Sequence, residues 1–170
     1  AYPLVIEASR RQLGLRPYFV QILGGLALQS GCVAEMATGE GKTLTATMPL
    51  FLNSLCGEPC HLATANDYLA ERDAETMRPL FASLGLTVAH VSAGMSQEER
   101  RTAYACDITY GTAREFGFDF LRDQLAQHAP LQLCERGASL SLPFVDRVFG
   151  YQRDVRQFVH HGEGHRDQVL

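Results

Sequence analysis

An α/β fold, with a parallel sheet covered by helices on both faces, is what this chain of 170 residues predicts. Three observations lead there. Short apolar runs alternate with longer amphipathic ones across short connections, the pattern of β-α-β units whose crossovers lay helices on both sides of a sheet. A Gly-rich stretch, Thr38-Gly39-Glu40-Gly41-Lys42-Thr43, falls between an apolar run and a helical one, at the end of a strand where sheets of this kind meet their ligands. The composition, 46% hydrophobic and 20% charged, is that of a globular chain long enough for one domain.

Each element has its own warrant. Pro3 to Gly14 is an amphipathic helix, with Leu4, Val5, Ala8 and Leu13 on one side and Glu7, Arg10 and Arg11 in solvent, closed by Gly14 as a C-cap. A second helix is expected from about Pro17, at its first turn, to Gln29. Cys32, Val33 and Ala34 close a short buried strand before the Gly-rich stretch. Leu44 to Leu55 is a helix apolar on most sides (Leu44, Ala46, Met48, Leu50, Phe51, Leu52, Leu55), as suits one packed beneath a sheet. His61 to Ala65 is a buried strand, and Asn66 or Asp67 caps a helix from Tyr68 to about Leu84. Leu86 to Val91 is a third strand. Ser96, with Glu99 three residues on, is a capping box opening a charged helix. Asp107 to Tyr110 is a fourth strand, and a last helix runs to about Gln127. Leu140 to Val145 has strand character that Pro143 demotes.

The Gly-rich stretch carries chemistry. It has the form of a phosphate-binding loop, with Met36 where the usual pattern has its first glycine. Gly39 and Gly41 allow turn conformations that a β-carbon disfavours. Backbone N–H groups then point at phosphate oxygens, backed by the positive end of the following helix. Lys42 reaches the β- and γ-phosphates and the Thr43 hydroxyl is a ligand for Mg²⁺. Gln21 is either a solvated helical residue or, given its place shortly before the loop, a side chain that pairs with a donor and an acceptor on adenine.

Other classes are disfavoured. A net charge of −4 offers no general attraction to nucleic acid or anionic lipid. Five cysteines, Cys32, Cys56, Cys60, Cys106 and Cys134, are odd in number and lie mostly in apolar runs, which suits buried thiols in a reducing compartment. Cys56-x-x-x-Cys60-His61 lacks a second ligand pair of matching spacing, so zinc is not expected. His160, His161 and His165 lie in a Gly- and charge-rich tail that reads as a polar terminus. No signal-like or membrane-spanning segment is evident, so a cytoplasmic location is expected.

Taken in order, the blocks GLRPYFVQILGG, AEMATGEGKTLTAT, TANDYLAERDAE, RPLFASLGLTV and DITYGTAREFGFDFLRDQL, from Ala1 to about Leu125, resemble the SecA preprotein translocase ATPases. Generic helicases share the loop but not the NDYLAERD and FGFDFLRD blocks. The resemblance implies an incomplete RecA-like first nucleotide-binding lobe over residues 1–127; over 128–170, where the pattern weakens, a divergent, partly disordered segment is expected. It implies ATP or ADP with Mg²⁺ as ligands, held by Thr38, Gly39, Glu40, Gly41, Lys42 and Thr43, with Lys42 and Thr43 also catalytic. Gln21 would read adenine, with Leu15 and Tyr18 packing near the base. Arg72 either senses nucleotide or the neighbouring lobe, or pairs with Asp73 or Glu75. The implied partners are the SecYEG channel, preproteins, anionic lipid and a second RecA-like lobe, at the inner face of the plasma membrane.

The match has departures. Phe19 stands where the family has an acidic residue. After Leu125 the family's D-E-V-D strand has no clear counterpart. The nearest string, Phe144 to Phe149, puts Arg147 where the catalytic Glu belongs, and its flanks do not match. These 170 residues also lack the second lobe, and phosphoryl transfer needs charge stabilisation on both sides of the γ-phosphate. By themselves they are expected to bind nucleotide weakly and to hydrolyse it very slowly. Two further readings stay in view: a nucleotide-binding interaction module without hydrolysis, and a nucleic-acid helicase lobe, which would need a basic surface with stacking aromatics.

Overall fold

The computed structural model describes residues 1–57, 59–125, 139–144 and 148–152. The elements run α1 (Tyr2–Leu13), α2 (Phe19–Gln29), β1 (Ala34–Glu35), α3 (Lys42–Ser54), β2 (Cys60–Thr64), α4 (Asp67–Ser83), β3 (Val88–His90), α5 (Gln97–Tyr104), β4 (Ile108–Thr112), α6 (Ala113–Leu125), β5 (Ser139–Phe144) and β6 (Val148–Gln152). The expected domain boundary at 127, the tail histidines and Arg147 lie outside the described residues.

One sheet holds all the strands in the order β1-β6-β5-β2-β4-β3. Four neighbours are parallel: Cys60 of β2 stands opposite Ile108 of β4 and Ser139 of β5, and Val88 of β3 stands opposite Ile108. Strand β6 is antiparallel to both β5 and β1, so the sheet is mixed where an all-parallel one is expected.

Alternation along the strands fills two layers. On one face Cys60, Leu62, Ile108 and Tyr110 join a core with Leu50 and Phe51 of α3, Leu80 and Phe81 of α4, and Val5 and Leu28 beyond them. On the other face Ala63 packs with Ala103 and Tyr104 of α5 and Phe116 of α6. His61 shares that second face, stacked on Phe116 at 5.0 Å and edge-on to Tyr104 at 5.2 Å. Burial on both sides explains why these strands read as continuous apolar runs.

Three local differences have plain causes. The first strand starts at Ala34, because the Cys32 N–H bonds the Ala27 carbonyl at 3.0 Å and closes the end of α2; Cys32 and Val33 are exposed. Helix α2 starts at Phe19, two residues after Pro17, because Tyr18 is its extended N-cap. Strand β5 tolerates Pro143 because its pairing with β2 ends at Ser141; Pro143 lies beyond that ladder, opposite Phe149 of β6. The expected caps are present: Asn66 accepts from the Leu69 N–H at 2.8 Å, and Ser96 and Glu99 bond each other's backbone N–H groups.

No described helix is long and apolar enough to cross a membrane. The outer side of α2 leaves Phe19, Val20, Leu23 and Leu26 exposed.

Candidate functional site

The loop between β1 and α3 turns twice through left-handed backbone, at Gly39 (φ 88°) and Gly41 (φ 78°). Both angles lie where a side chain is disfavoured. Gly41 is the N-cap of α3, and its carbonyl accepts the Leu44 and Thr45 N–H groups at 3.1 Å. Lys42 and Thr43 therefore occupy the first helical turn, where N–H groups have no acceptor within the helix and the dipole is positive. The loop also folds on itself. The Glu40 N–H bonds the Ala37 carbonyl at 3.3 Å, and the Glu40 carboxylate accepts from the Ala37 N–H at 2.8 Å. An anionic oxygen thus already sits on a loop amide. Thr38, Gly39 and Glu40 are exposed, and Gly41, Lys42 and Thr43 half-buried. Met36, at the position of the missing glycine, turns inward and is 4% exposed.

Gln21 is not solvated; it is 6% exposed. Its Oε1 accepts from the Tyr18 N–H at 2.9 Å, and its Nε2 donates to the Glu40 carbonyl at 2.7 Å. One carboxamide therefore ties the start of α2 to the loop. A β-carbon on Gly41 would come within 2.3 Å of that Nε2. Leu15 and Tyr18 flank the same corner with exposed side chains, Tyr18 at 76%.

Helix α2 reaches this position because Gly24 and Gly25 let it lie against α3. A β-carbon on Gly24 would meet Thr45 Cγ2 at 3.1 Å and Met36 Sδ at 3.5 Å, and one on Gly25 would meet Met48 Cβ at 3.4 Å. The Tyr2 hydroxyl donates to the Gly25 carbonyl at 2.7 Å, and the Ser9 hydroxyl to the Leu15 carbonyl at 2.8 Å. The first bond braces α1 against α2, and the second ties α1 to the connection that leads into α2.

On the other side of the loop, Thr43 Oγ1 donates to Asp73 Oδ2 at 3.2 Å. Asp73 Oδ1 takes a forked pair from Arg72, Nε at 2.9 Å and Nη2 at 2.7 Å. The pairing of Arg72 with Asp73, one of its two expected roles, is present, and it links Arg72 to the loop through that carboxylate. Beneath lies Tyr110, wholly buried, whose hydroxyl has no hydrogen-bond partner among the described residues. Burial first, and then the charge of Asp73, push its phenol well above the ordinary value.

The sequence-predicted residues thus fall into two groups around the loop: Leu15, Tyr18 and Gln21 on the α2 side, and Thr43 and Arg72 on the α4 side. Asp73, expected only as a partner of Arg72, is the residue whose place beside the loop sequence reasoning missed. Its signal was present: it lies on the apolar stripe of α4 between Ala70, Ala74 and Met77, all buried, where an acidic residue needs a partner.

Fold and loop together define a RecA-like α/β lobe. A hypothetical ATP-dependent RNA helicase from Sulfolobus tokodaii shares the fold, with a TM-score of 0.57 at 20% identity over 72% of this chain and 37% of that one.

The chain belongs to the SecA family: the model of the SecA DEAD-like domain matches residues 1–148. The protein translocase subunit SecA of Syntrophus aciditrophicus is 58% identical over 125 residues, 74% of this chain and 15% of the relative. That of Rubrobacter xylanophilus is 54% identical over 148 residues, 87% and 16%. SecA 2 of Rhodopirellula baltica is 60% identical over 129 residues, 76% and 20%. The chain therefore spans a fifth or less of these relatives' lengths.

Proposed function

We propose that these residues form the first nucleotide-binding lobe of a SecA-type protein translocase, and that Thr38 to Thr43 hold the phosphates of ATP or ADP. Helix α3 presents its positive end and Lys42 to the phosphates. Gln21 reads adenine by releasing the Tyr18 N–H and the Glu40 carbonyl in favour of the base edge, while Leu15 and Tyr18 cover the ring. Thr43 suits Mg²⁺: a hydroxyl oxygen on the first helical turn, with a carboxylate 3.2 Å behind it, is the hard-oxygen chemistry that ion takes. The ion, when bound, neutralises charge between the β- and γ-phosphates.

The lobe supplies one wall of a site that a second RecA-like lobe completes. In that assembly, nucleotide turnover drives preproteins through the SecYEG channel at the inner, anionic face of the plasma membrane. The observation that most supports this reading is the contact between Gln21 and Glu40, which brings an adenine-reading amide to the mouth of the phosphate loop.

Calorimetric titration with Mg·ADP tests it. Saturable binding is expected, lost in Lys42→Ala and weakened about tenfold in Gln21→Ala, in line with one to two hydrogen bonds. A folded chain that gives no binding heat would refute the nucleotide site.

A further inference from the structure

Resting on that reading of Thr43, we propose that Asp73 is a positioning residue for the cation site, holding the Thr43 hydroxyl in the one orientation that leaves its oxygen open to a divalent ion. A hydroxyl has one proton and two lone pairs. In this structure the proton is directed at Asp73 Oδ2, 3.2 Å away. Both lone pairs of Thr43 Oγ1 are then available on the side away from α4. Were the hydroxyl to accept a bond instead, one of those lone pairs would be taken.

Asp73 can do this because it is itself fixed. Arg72 holds the other carboxylate oxygen with two nitrogens, charge-assisted bonds that anchor Oδ1 and leave Oδ2 for Thr43. Arg72 is half exposed while the Asp73 side chain is only 12% exposed, so the balancing cation lies nearer the surface than the carboxylate. On the helix, Ala70 and Ala74 beside it are wholly buried, so Asp73 lies on the inward side of α4 facing Thr43. The chain Arg72–Asp73–Thr43 is a carboxylate standing behind a metal-ligating oxygen, the arrangement by which outer residues orient ligands and raise metal affinity.

The test compares ADP affinity with Mg²⁺ and with EDTA for the full chain, Asp73→Asn, Thr43→Val and the double variant. Asparagine keeps the size of the side chain but has one oxygen. Arg72 claims that oxygen, the amide NH₂ faces Thr43, and donor meets donor. Asp73→Asn is expected to cut the Mg²⁺-dependent gain in affinity about tenfold, the lower end for such a residue, with ADP affinity in EDTA changed by less than about twofold. Thr43→Val is expected to abolish the gain, and adding Asp73→Asn to it should cost nothing more.

Equal losses with and without Mg²⁺, or additive losses in the double variant, would make Asp73 a merely structural residue and overturn the inference. Thr43→Val leaves Asp73 in place, so its result stands whether or not Asp73→Asn folds, and thermal melts report the folding of each. Absence of ADP binding by the unaltered chain, folded, would instead remove the nucleotide reading and this inference with it.

Discussion

At the scale of single residues, the loop is held by contacts that exclude substitution. Gly41 combines a positive φ with an absent β-carbon that would fall 2.3 Å from Gln21 Nε2. Gly41→Ala therefore strains the backbone and pushes the carboxamide away at once. A loss of about 1–3 kcal/mol is expected, read from urea unfolding, together with weaker ADP binding. Stability equal to the parent's would show that the loop relaxes freely. The loop's backbone turn was legible in the sequence, because glycines at that spacing before a helix answer to one conformational demand. The hydrogen-bonding of Gln21 was only half legible. Helical position does not say which way a side chain points, and only the closeness of Gly24 and Gly25 to α3 turns it inward. Asp73 was visible as an acid on an apolar stripe, but its partner lies 30 residues away in sequence, which no local pattern reports.

At the scale of elements, α5 and α6 are joined by charge rather than by apolar contact alone. Arg100, 3% exposed, donates to Asp119 at 2.7 Å, to Glu115 at 2.6 Å and to the Ser92 carbonyl at 2.6 Å. Asp119 also accepts from the Tyr104 hydroxyl at 2.8 Å and from Arg122. Arg100→Met would leave two acids buried without their common cation. The expected cost is about 3–5 kcal/mol, measured as a fall in the urea midpoint; a change under about 1 kcal/mol would mean that Arg122 and solvent replace it. The sequence shows α5 only as a charged helix. Helix boundaries were otherwise legible to within a residue or two wherever a cap marked them, as at Asn66 and Ser96. The strand pairing was less so: two residues suffice for β1, and nothing local shows that β6 enters the sheet against the direction of its neighbours.

For the molecule as a whole, the second core carries an acid sensitivity. His61 is buried between Phe116 and Tyr104, and burial lowers its pKa to about 4. The unfolded chain takes up a proton near pH 6.5 that the folded one refuses until about pH 4. Stability is therefore full above pH 6.5 and falls as the pH drops towards 4. Between pH 7 and 5 the loss should be about 2 kcal/mol, seen in urea unfolding and absent in His61→Gln; a flat profile in the parent would contradict the burial of a neutral imidazole.

Tyr18, at the rim of the site, has a further consequence. The chain contains no tryptophan, so an indole introduced in place of Tyr18 would be its sole long-wavelength fluorophore. It would stand in water, beside the Gln21 amide, which on the proposed adenine reading lets go of Tyr18 and Glu40 when a base enters. Its emission would report, in real time and without a labelled ligand, whether that corner opens when nucleotide is added.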